Sequence, residues 1–185
     1  MAYYLLKQNR LVKGAPAIGD LPADMDGGDW IQGKVMPAPP NPLRLMLSDN
    51  SGDFRGDVIQ SLVPLFSDKL KQSLESYGVD NIDFFPVQLE HPTTHKVENG
   101  YHLANVIGLV SCVDLAKSDV RELPSGTGFR VKAFSIDERR APDQPIFRLD
   151  EKPTLIVIAE PLKAHLDAAQ LKGVKMIPTT EYDGF

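Results

Sequence analysis

The stretch LKQSLESYGVDNIDFFP, residues 70–86, predicts a short helix that ends at a glycine and leads into a strand. The stretch LKAHLDAAQLKGVKMIP, residues 162–178, repeats this plan, since both open with LKxxL, pass through a glycine and end at a proline. The similarity fits an internal duplication. It also fits chance, because short apolar patterns align easily and a repeat array needs more copies. Either way, the two stretches predict two helices mounted in the same way on a sheet.

The other regular elements are predicted to be strands, so we expect an α+β fold. It is a mixed, largely antiparallel β-sheet carrying two short helices, in a single domain of residues 1–185. VIQSLVPLF (58–66) has apolar residues at helical spacing, although Pro64 disfavours a helix there. The segments with strand-like patterns are AYYLLK (2–7), LRLML (43–47), NIDFFPVQLEH (81–91), YHLANVIGLV (101–110), GFRVKAFSI (128–136), IFRL (146–149), TLIVIA (154–159) and VKMIP (174–178).

Both helices carry recognisable end signals. Ser67 is a suitable N-cap for the first helix, and Gly78 is a suitable terminator. Pro161 suits the first turn of the second helix, where its missing N–H costs nothing. Leu162 and Leu166 are four residues apart, so we expect them to face the sheet together.

Two loops interrupt these patterns: residues 14–42 and residues 48–57 are dense in Gly, Pro and Asp. The first could include a short strand around Trp30. Both contain runs that resemble calcium loops, yet an EF-hand loop needs glycine at its sixth position. Asp29 and Phe54 occupy those positions, so we expect solvated acidic connectors rather than calcium sites.

Composition and charge argue against nucleic acid and membrane as partners. The chain of 185 residues is 42% hydrophobic and 24% charged, with a formal net charge of -5. Nucleic-acid binding needs a clustered basic surface, so we expect no nucleic acid as partner. The longest strongly apolar run, LANVIGLVSCV (103–113), is too short to span a bilayer. No signal peptide is recognisable at the start, and we expect a cytoplasmic protein with no membrane partner.

Three of the four histidines fall within residues 88–106, together with two glutamates. A zinc site on a helix is disfavoured because Pro92 separates the first two histidines, and an extended chain places them about 13 Å apart. A tight turn could still bring them to a metal. Asn99-Gly100 is a strong hairpin signal, so we predict a hairpin loop and no metal or other cofactor. The loop is expected to hold His91, His95 and Glu98, with His102 on the return strand.

No catalytic constellation stands out. Cys112 lies between apolar residues with no basic neighbour, which favours a buried, inert thiol. Asp114 is best explained as the cap of the LAKS turn at 115–118. Motifs of the nucleotide-binding, hydrolase and redox classes are missing from the sequence. We therefore assign no catalytic residue.

Four blocks of the sequence form a recognisable series: YYLL (3–6), PLFSDKLKQSLESYGVDNIDFFPVQLE (64–90), YHLANVIGLVSCVDLAKSD (101–119) and DQPIFRLDEKPTLIVIAEPLKAHLDAAQLKGVKM (143–176). In this order the blocks resemble the bacterial polymorphic-toxin immunity proteins of family eleven. They cover about half of the chain, and residues 14–42 match poorly apart from a tryptophan. Glu160 and Pro161 stand where the family often has a serine, which affects a helix cap and no site.

The resemblance implies a small cytoplasmic protein that is not an enzyme. Its role would be to bind and neutralise a cognate protein toxin made by the same or a sister cell. Two alternatives stay open: an enzyme with an unrecognised site that uses Asp114 and His102, and a stand-alone regulatory binding domain.

The acidic loops are the hypothetical toxin-binding surface, since charge steers association and an aromatic anchor supplies affinity. We expect the toxin to offer a basic cleft. In the competing interpretation the loops are soluble connectors and the tryptophan is part of the core. The candidate partner-binding residues are Asp20, Asp24, Asp26, Asp29 and Trp30 in the first loop, and Asp49, Asp53 and Asp57 in the second.

Overall fold

The computed structural model of the protein describes residues 1–124 and 128–184. Within these residues it has two α-helices, α1 at Asp68–Tyr77 and α2 at Glu160–Ala168. The strands are β1 Tyr3–Gln8, β2 Leu43–Met46, β3 Val58–Ile59, β4 Leu65–Ser67, β5 Ile82–Glu90, β6 Val97–Val106, β7 Leu109–Val110, β8 Val120–Glu122, β9 Phe129–Val131, β10 Ile146–Leu149, β11 Lys152–Ala159 and β12 Val174–Pro178.

The strands form two five-stranded sheets and one two-stranded ribbon, β8–β9. Sheet A has the order β12-β1-β11-β10-β7, and sheet B has the order β2-β5-β6-β4-β3. Only the pairs β7–β10 and β2–β5 are parallel among the described residues. The predicted α+β class with a largely antiparallel pattern is confirmed, although the sheet expected to be continuous is divided in two.

The stretches of residues 70–86 and 162–178 have the same topology. In sheet B the chain runs from β4 through α1 to β5, and β6 lies between these two strands. In sheet A it runs from β11 through α2 to β12, and β1 lies between them. Since the middle strand is antiparallel to both neighbours, each helix connects two parallel strands across one intervening strand. The predicted common mounting of the helices is confirmed.

The helix ends follow the sequence signals. The Ser67 side chain accepts a hydrogen bond from the backbone N–H of Leu70 at 3.1 Å, and Gly78 ends α1 with a φ of +96°. Pro161 lies in the first turn of α2. Leu162 and Leu166 are fully buried, as their spacing predicts. They join Leu70, Leu74 and strand residues of both sheets in one apolar cluster, so the two sheets share a core on the helix side.

A second apolar cluster covers the opposite face of sheet B. It contains alternate residues of β2, β5 and β6, together with Trp30 from the first acidic loop. The outer face of sheet A has its own cluster, centred on Phe134, Phe147 and Cys112. The acidic loop of residues 14–42 therefore acts as the lid of one core.

Five local predictions are wrong. YHLANVIGLV is divided between β6 of sheet B and β7 of sheet A, and GFRVKAFSI forms a strand only at Phe129–Val131. VIQSLVPLF forms the short strands β3 and β4 rather than a helix, and the Pro64 carbonyl accepts a hydrogen bond from Ala104. Trp30 lies in a 3-10 helix, Asp29–Ile31, and not in a strand. The hairpin β5–β6 exists, but its turn is formed by residues 91–96.

Asn99-Gly100 instead lies inside β6, where two residues oppose the single Gln88 of β5. Gly100 has a φ of +92°, a conformation that glycine adopts without steric cost. The dipeptide therefore builds a β-bulge rather than a turn. Pro86 lies one residue before this irregularity, on the part of β5 that β2 does not cover, where a proline is tolerated.

Candidate interaction surface

The first acidic loop is attached to the edge of sheet B at one point. Ile18 bridges to Leu47, and the Gly19 N–H donates to the Met46 carbonyl at 2.9 Å. Further along the loop, the Trp30 indole packs edge-on against Phe85, with ring centroids 5.5 Å apart. Trp30 is only 5% exposed, so its main contribution is to the core.

Between these attachments the loop encloses a groove of about 620 Å³, which we call the acidic groove. Its floor and one wall are apolar and include Trp30, two methionines and a run of prolines. Three aspartates stand on its rim. The lining residues are Pro22, Asp24, Met25, Asp26, Asp29, Trp30, Met36, Pro37, Ala38, Pro39, Pro40, Pro42, Leu43 and Arg44.

The rim carboxylates are exposed and only partly engaged within the protein. Asp26 accepts a hydrogen bond from the Gly28 N–H at 2.8 Å, and Asp29 lies 3.8 Å from the Lys34 ammonium. Asp24 makes no polar contact with the residues that the structure describes. Arg44 contributes one positive charge to the lining. The groove thus combines apolar walls with a net negative rim.

The remaining candidates of the first and second loops lie elsewhere. Asp20 is exposed beside a smaller hollow of about 220 Å³, which also contains Arg44 and Glu90. Asp49 and Asp53 are exposed, but neither lines the acidic groove. The second loop packs instead against the beginning of the first, where the Phe54 N–H donates to the Gly14 carbonyl.

Asp57 differs from all the other candidates because it is buried, at 8% exposure. Its carboxylate accepts hydrogen bonds from the Ser67 hydroxyl at 2.5 Å and from the Lys172 N–H at 2.6 Å. Ser67 caps α1, and Lys172 lies in the turn that follows α2. Asp57 therefore joins the two helix–strand units, and the structure gives its carboxylate an internal role.

The apolar half of the groove is not among the residues predicted from the sequence. Four prolines of residues 36–42 form a wall of it, and Met25 and Met36 add contacts below. A proline-rich run beside an acidic loop is a usable signal, because prolines hold an extended, rigid backbone. Arg44 was assigned only to a strand, and nothing in its sequence context indicated that it borders the groove.

The histidines do not converge on a metal. His91 accepts hydrogen bonds at Nδ1 from the Thr93 and Thr94 N–H groups, and His95 Nδ1 lies 2.8 Å from a Glu90 oxygen. His102, on β6, pairs through Nε2 with Asp68 at 2.7 Å. Across residues 1–124 and 128–184, no cluster of three or more His, Cys, Asp or Glu side chains has the geometry to hold a metal ion.

The residues of the enzyme alternative are also separated. His102 belongs to sheet B, whereas Asp114 follows β7 of sheet A. Asp114 accepts from the Ala116 N–H and pairs with Lys117, and these contacts lower its pKa. It caps the turn, as its position predicts. Burial raises the pKa of Cys112 to about 12, so this thiol is protonated and unreactive at neutral pH.

Neither α1 nor α2, the helices of the described part of the chain, has the length and apolarity needed to cross a membrane. No curated protein matches the chain significantly. The model of the immunity protein family Imm11 matches residues 3–181, which include both sheets, both helices and the acidic groove. This match agrees with the resemblance noted from the sequence blocks, and it covers almost the whole chain. The chain belongs to the Imm11 family of immunity proteins.

Proposed function

We propose that this immunity protein neutralises a cognate protein toxin by direct contact, and that the acidic groove is the contact surface. The observation that carries the proposal is the combination of Asp24, Asp26 and Asp29 with an apolar floor. Charge at the rim speeds association with a basic partner, and a water-excluding apolar centre supplies affinity.

The complementary partner is a toxin with a basic cleft or loop. A lysine or arginine side chain could reach the rim carboxylates while its neighbours fill the space between Trp30 and the prolines. Asp20, Asp49 and Asp53 are exposed outside the groove, so we assign them to long-range steering. Since Asp57 is buried and engaged, the proposal does not use it.

The family assignment supports a binding role without catalysis, and we extend that role to this chain. The same family role is the basis on which we propose a cytoplasmic site of action. His102, on β6 of sheet B, and Asp114, in the turn after β7 of sheet A, are the residues considered for an enzyme, and they are engaged in separate local contacts. Neutralisation then rests on blocking the toxin rather than on modifying it.

Co-expression with the cognate toxin tests the proposal. The triple variant Asp24→Lys, Asp26→Lys and Asp29→Lys should abolish protection of the host cell, and purified variant should bind the toxin at least about a hundredfold more weakly. A normal circular dichroism spectrum and melting temperature would confirm that the variant is folded.

A matched control variant distinguishes the effect of the groove aspartates from the effect of a changed net charge. Asp80, Asp143 and Asp150 are exposed, make no side-chain contact among the described residues and lie outside the groove. Their triple reversal to lysine changes the net charge by the same amount. Protection should survive in this control. Full protection by the groove variant, or equal loss in both variants, would contradict the assignment of the groove.

A further inference from the structure

The acidic groove runs along an open sheet edge. Strand β2 is the last strand of sheet B, and its residues Leu43 and Arg44 line the groove. Arg44, Leu45 and Met46 line the smaller hollow next to it. Both depressions therefore border the same strand, and Glu90 of β5 also lines the smaller one.

The directions of the backbone groups of β2 follow from two hydrogen bonds. The Leu47 N–H donates to the Glu90 carbonyl of β5 at 2.9 Å, so the backbone of Leu47 faces into the sheet. The Met46 carbonyl accepts from Gly19 in the loop, so the backbone of Met46 faces out of the sheet. Because these directions alternate along a strand, the N–H and C=O of Arg44 also face outward.

These outward groups of Arg44 have no hydrogen-bond partner among the described residues. The loop pairs with this edge at Ser48 and Met46, and then leaves it to enclose the groove. Exposed sheet edges invite pairing with another strand, and a charged residue such as Arg44 limits indiscriminate pairing. The edge thus offers one donor and one acceptor beside a groove with apolar walls and a negative rim.

We propose that the toxin binds by adding an extended segment to β2, with its backbone paired to Arg44 and with alternate side chains in the acidic groove. This inference rests on the proposed function and specifies how the partner is recognised. Backbone pairing at a sheet edge supplies affinity, and pockets for alternate side chains supply specificity. The segment should carry a lysine or arginine opposite Asp24, Asp26 and Asp29, and an apolar residue two positions away.

Hydrogen–deuterium exchange of single amides tests the geometry directly, with the full chain and its cognate toxin. In the free protein the Arg44 amide should exchange fast, whereas the Leu45 amide, which faces β5, should be protected. In the complex the Arg44 amide should slow by at least about tenfold, with Leu45 unchanged. Calorimetry on the same samples establishes whether a complex forms.

The exchange and calorimetry results distinguish a failure of strand addition from a failure of the proposed function. A complex in which Arg44 exchanges as fast as in the free protein would refute strand addition and leave the proposed function intact. Failure of the folded proteins to form any complex would refute the proposed function, and strand addition with it.

Two variants of Arg44 distinguish the contribution of its backbone N–H to toxin binding from the contribution of its side chain. Arg44→Pro removes the outward N–H without removing a hydrogen bond inside the sheet, so toxin affinity should fall at least about tenfold. Arg44→Ala keeps the N–H and removes a rim charge, so affinity should change by less than about threefold. Equal affinities of the two folded variants would overturn the proposal. If the proline variant does not fold, the exchange experiment decides alone.

Discussion

Replacing Asp57 with alanine should destabilise the protein severely without touching the proposed interaction surface. The carboxylate accepts two short hydrogen bonds, from the Ser67 hydroxyl and from the Lys172 N–H. These contacts connect the cap of α1 to the turn after α2, whose backbone also pairs with that of Asp57. Removing the side chain therefore removes hydrogen bonds that connect the two helix–strand units.

The size of the destabilisation follows from the Ser67 hydroxyl and the Lys172 N–H, which lose their acceptor. A hydrogen bond to a charged group contributes about 1.5–3 kcal/mol, and an unsatisfied buried donor costs about 1–3 kcal/mol. Releasing a buried carboxylate from its desolvation offsets part of that loss. We expect Asp57→Ala to lower the free energy of unfolding by about 2–4 kcal/mol. Asp57→Asn should cost less, because its amide oxygen still accepts from Lys172 and its NH₂ can donate to Ser67.

Urea titration followed by circular dichroism measures both variants. Asp53→Ala is the matched control, since Asp53 is an exposed aspartate of the same loop, and it should change stability by less than about 0.5 kcal/mol. If the free energy of unfolding of Asp57→Ala lies within about 0.5 kcal/mol of that of the parent protein, the two hydrogen bonds do not stabilise the connection between the two helix–strand units. The folded Asp57→Asn variant should still protect cells from the toxin, because the groove is unchanged.

Four further outcomes are expected. Leu166→Ala should lower the free energy of unfolding by about 2–5 kcal/mol because Leu166 is fully buried. Lys172→Ala should lower it by less than about 0.5 kcal/mol because that side chain is exposed, and the reverse order in urea would contradict the burial of Leu166 in the core. The pairing with Arg55 lowers the pKa of Glu98 below its ordinary value of 4.5, so its stabilisation is complete above that pH and is lost as the pH falls through the lowered pKa. Glu98→Gln should therefore be less stable than the parent at pH 7, and the two unfolding curves should converge on acidification. Purified protein should contain no stoichiometric zinc by elemental analysis, and a chelator that lowers its melting temperature would refute this expectation. Because both sheets share a core, calorimetry should record one unfolding transition, and two separate transitions would show independent units.

Sequence reasoning succeeded where local chemistry determines the structure. Ser67 caps α1 and Gly78 ends it because each supplies what a helix terminus lacks, whatever surrounds it. The spacing of Leu162 and Leu166 likewise fixed the buried face of α2. The strand patterns were correct for AYYLLK, LRLML, NIDFFPVQLEH, IFRL, TLIVIA and VKMIP, whereas YHLANVIGLV is divided between two sheets because its last residues pair with β10.

The errors have a common physical origin in non-local contacts. VIQSLVPLF became two short strands because β6 offers hydrogen bonds to β4, and no pattern within nine residues shows this. Asn99-Gly100 has the local preference for a turn, but the residues before it had already closed the hairpin. For the site, acidic residues and Trp30 were visible in the sequence, whereas the groove requires Pro37, Pro39, Pro40 and Pro42 to meet Trp30 and the start of β2, which is a non-local arrangement.

The position of β1 between β11 and β12 has a consequence for how the molecule assembles during synthesis. Strands β4, β5 and β6 with α1 lie within residues 65–106, so most of sheet B can form soon after this segment emerges. Strand β1 is made first, yet both of its partners lie beyond residue 151. Such distant pairings are slow because the intervening chain must close a long loop. The nascent protein therefore carries an unpaired apolar strand through most of its translation, and that strand is where chaperones would be needed and where misassembly would begin.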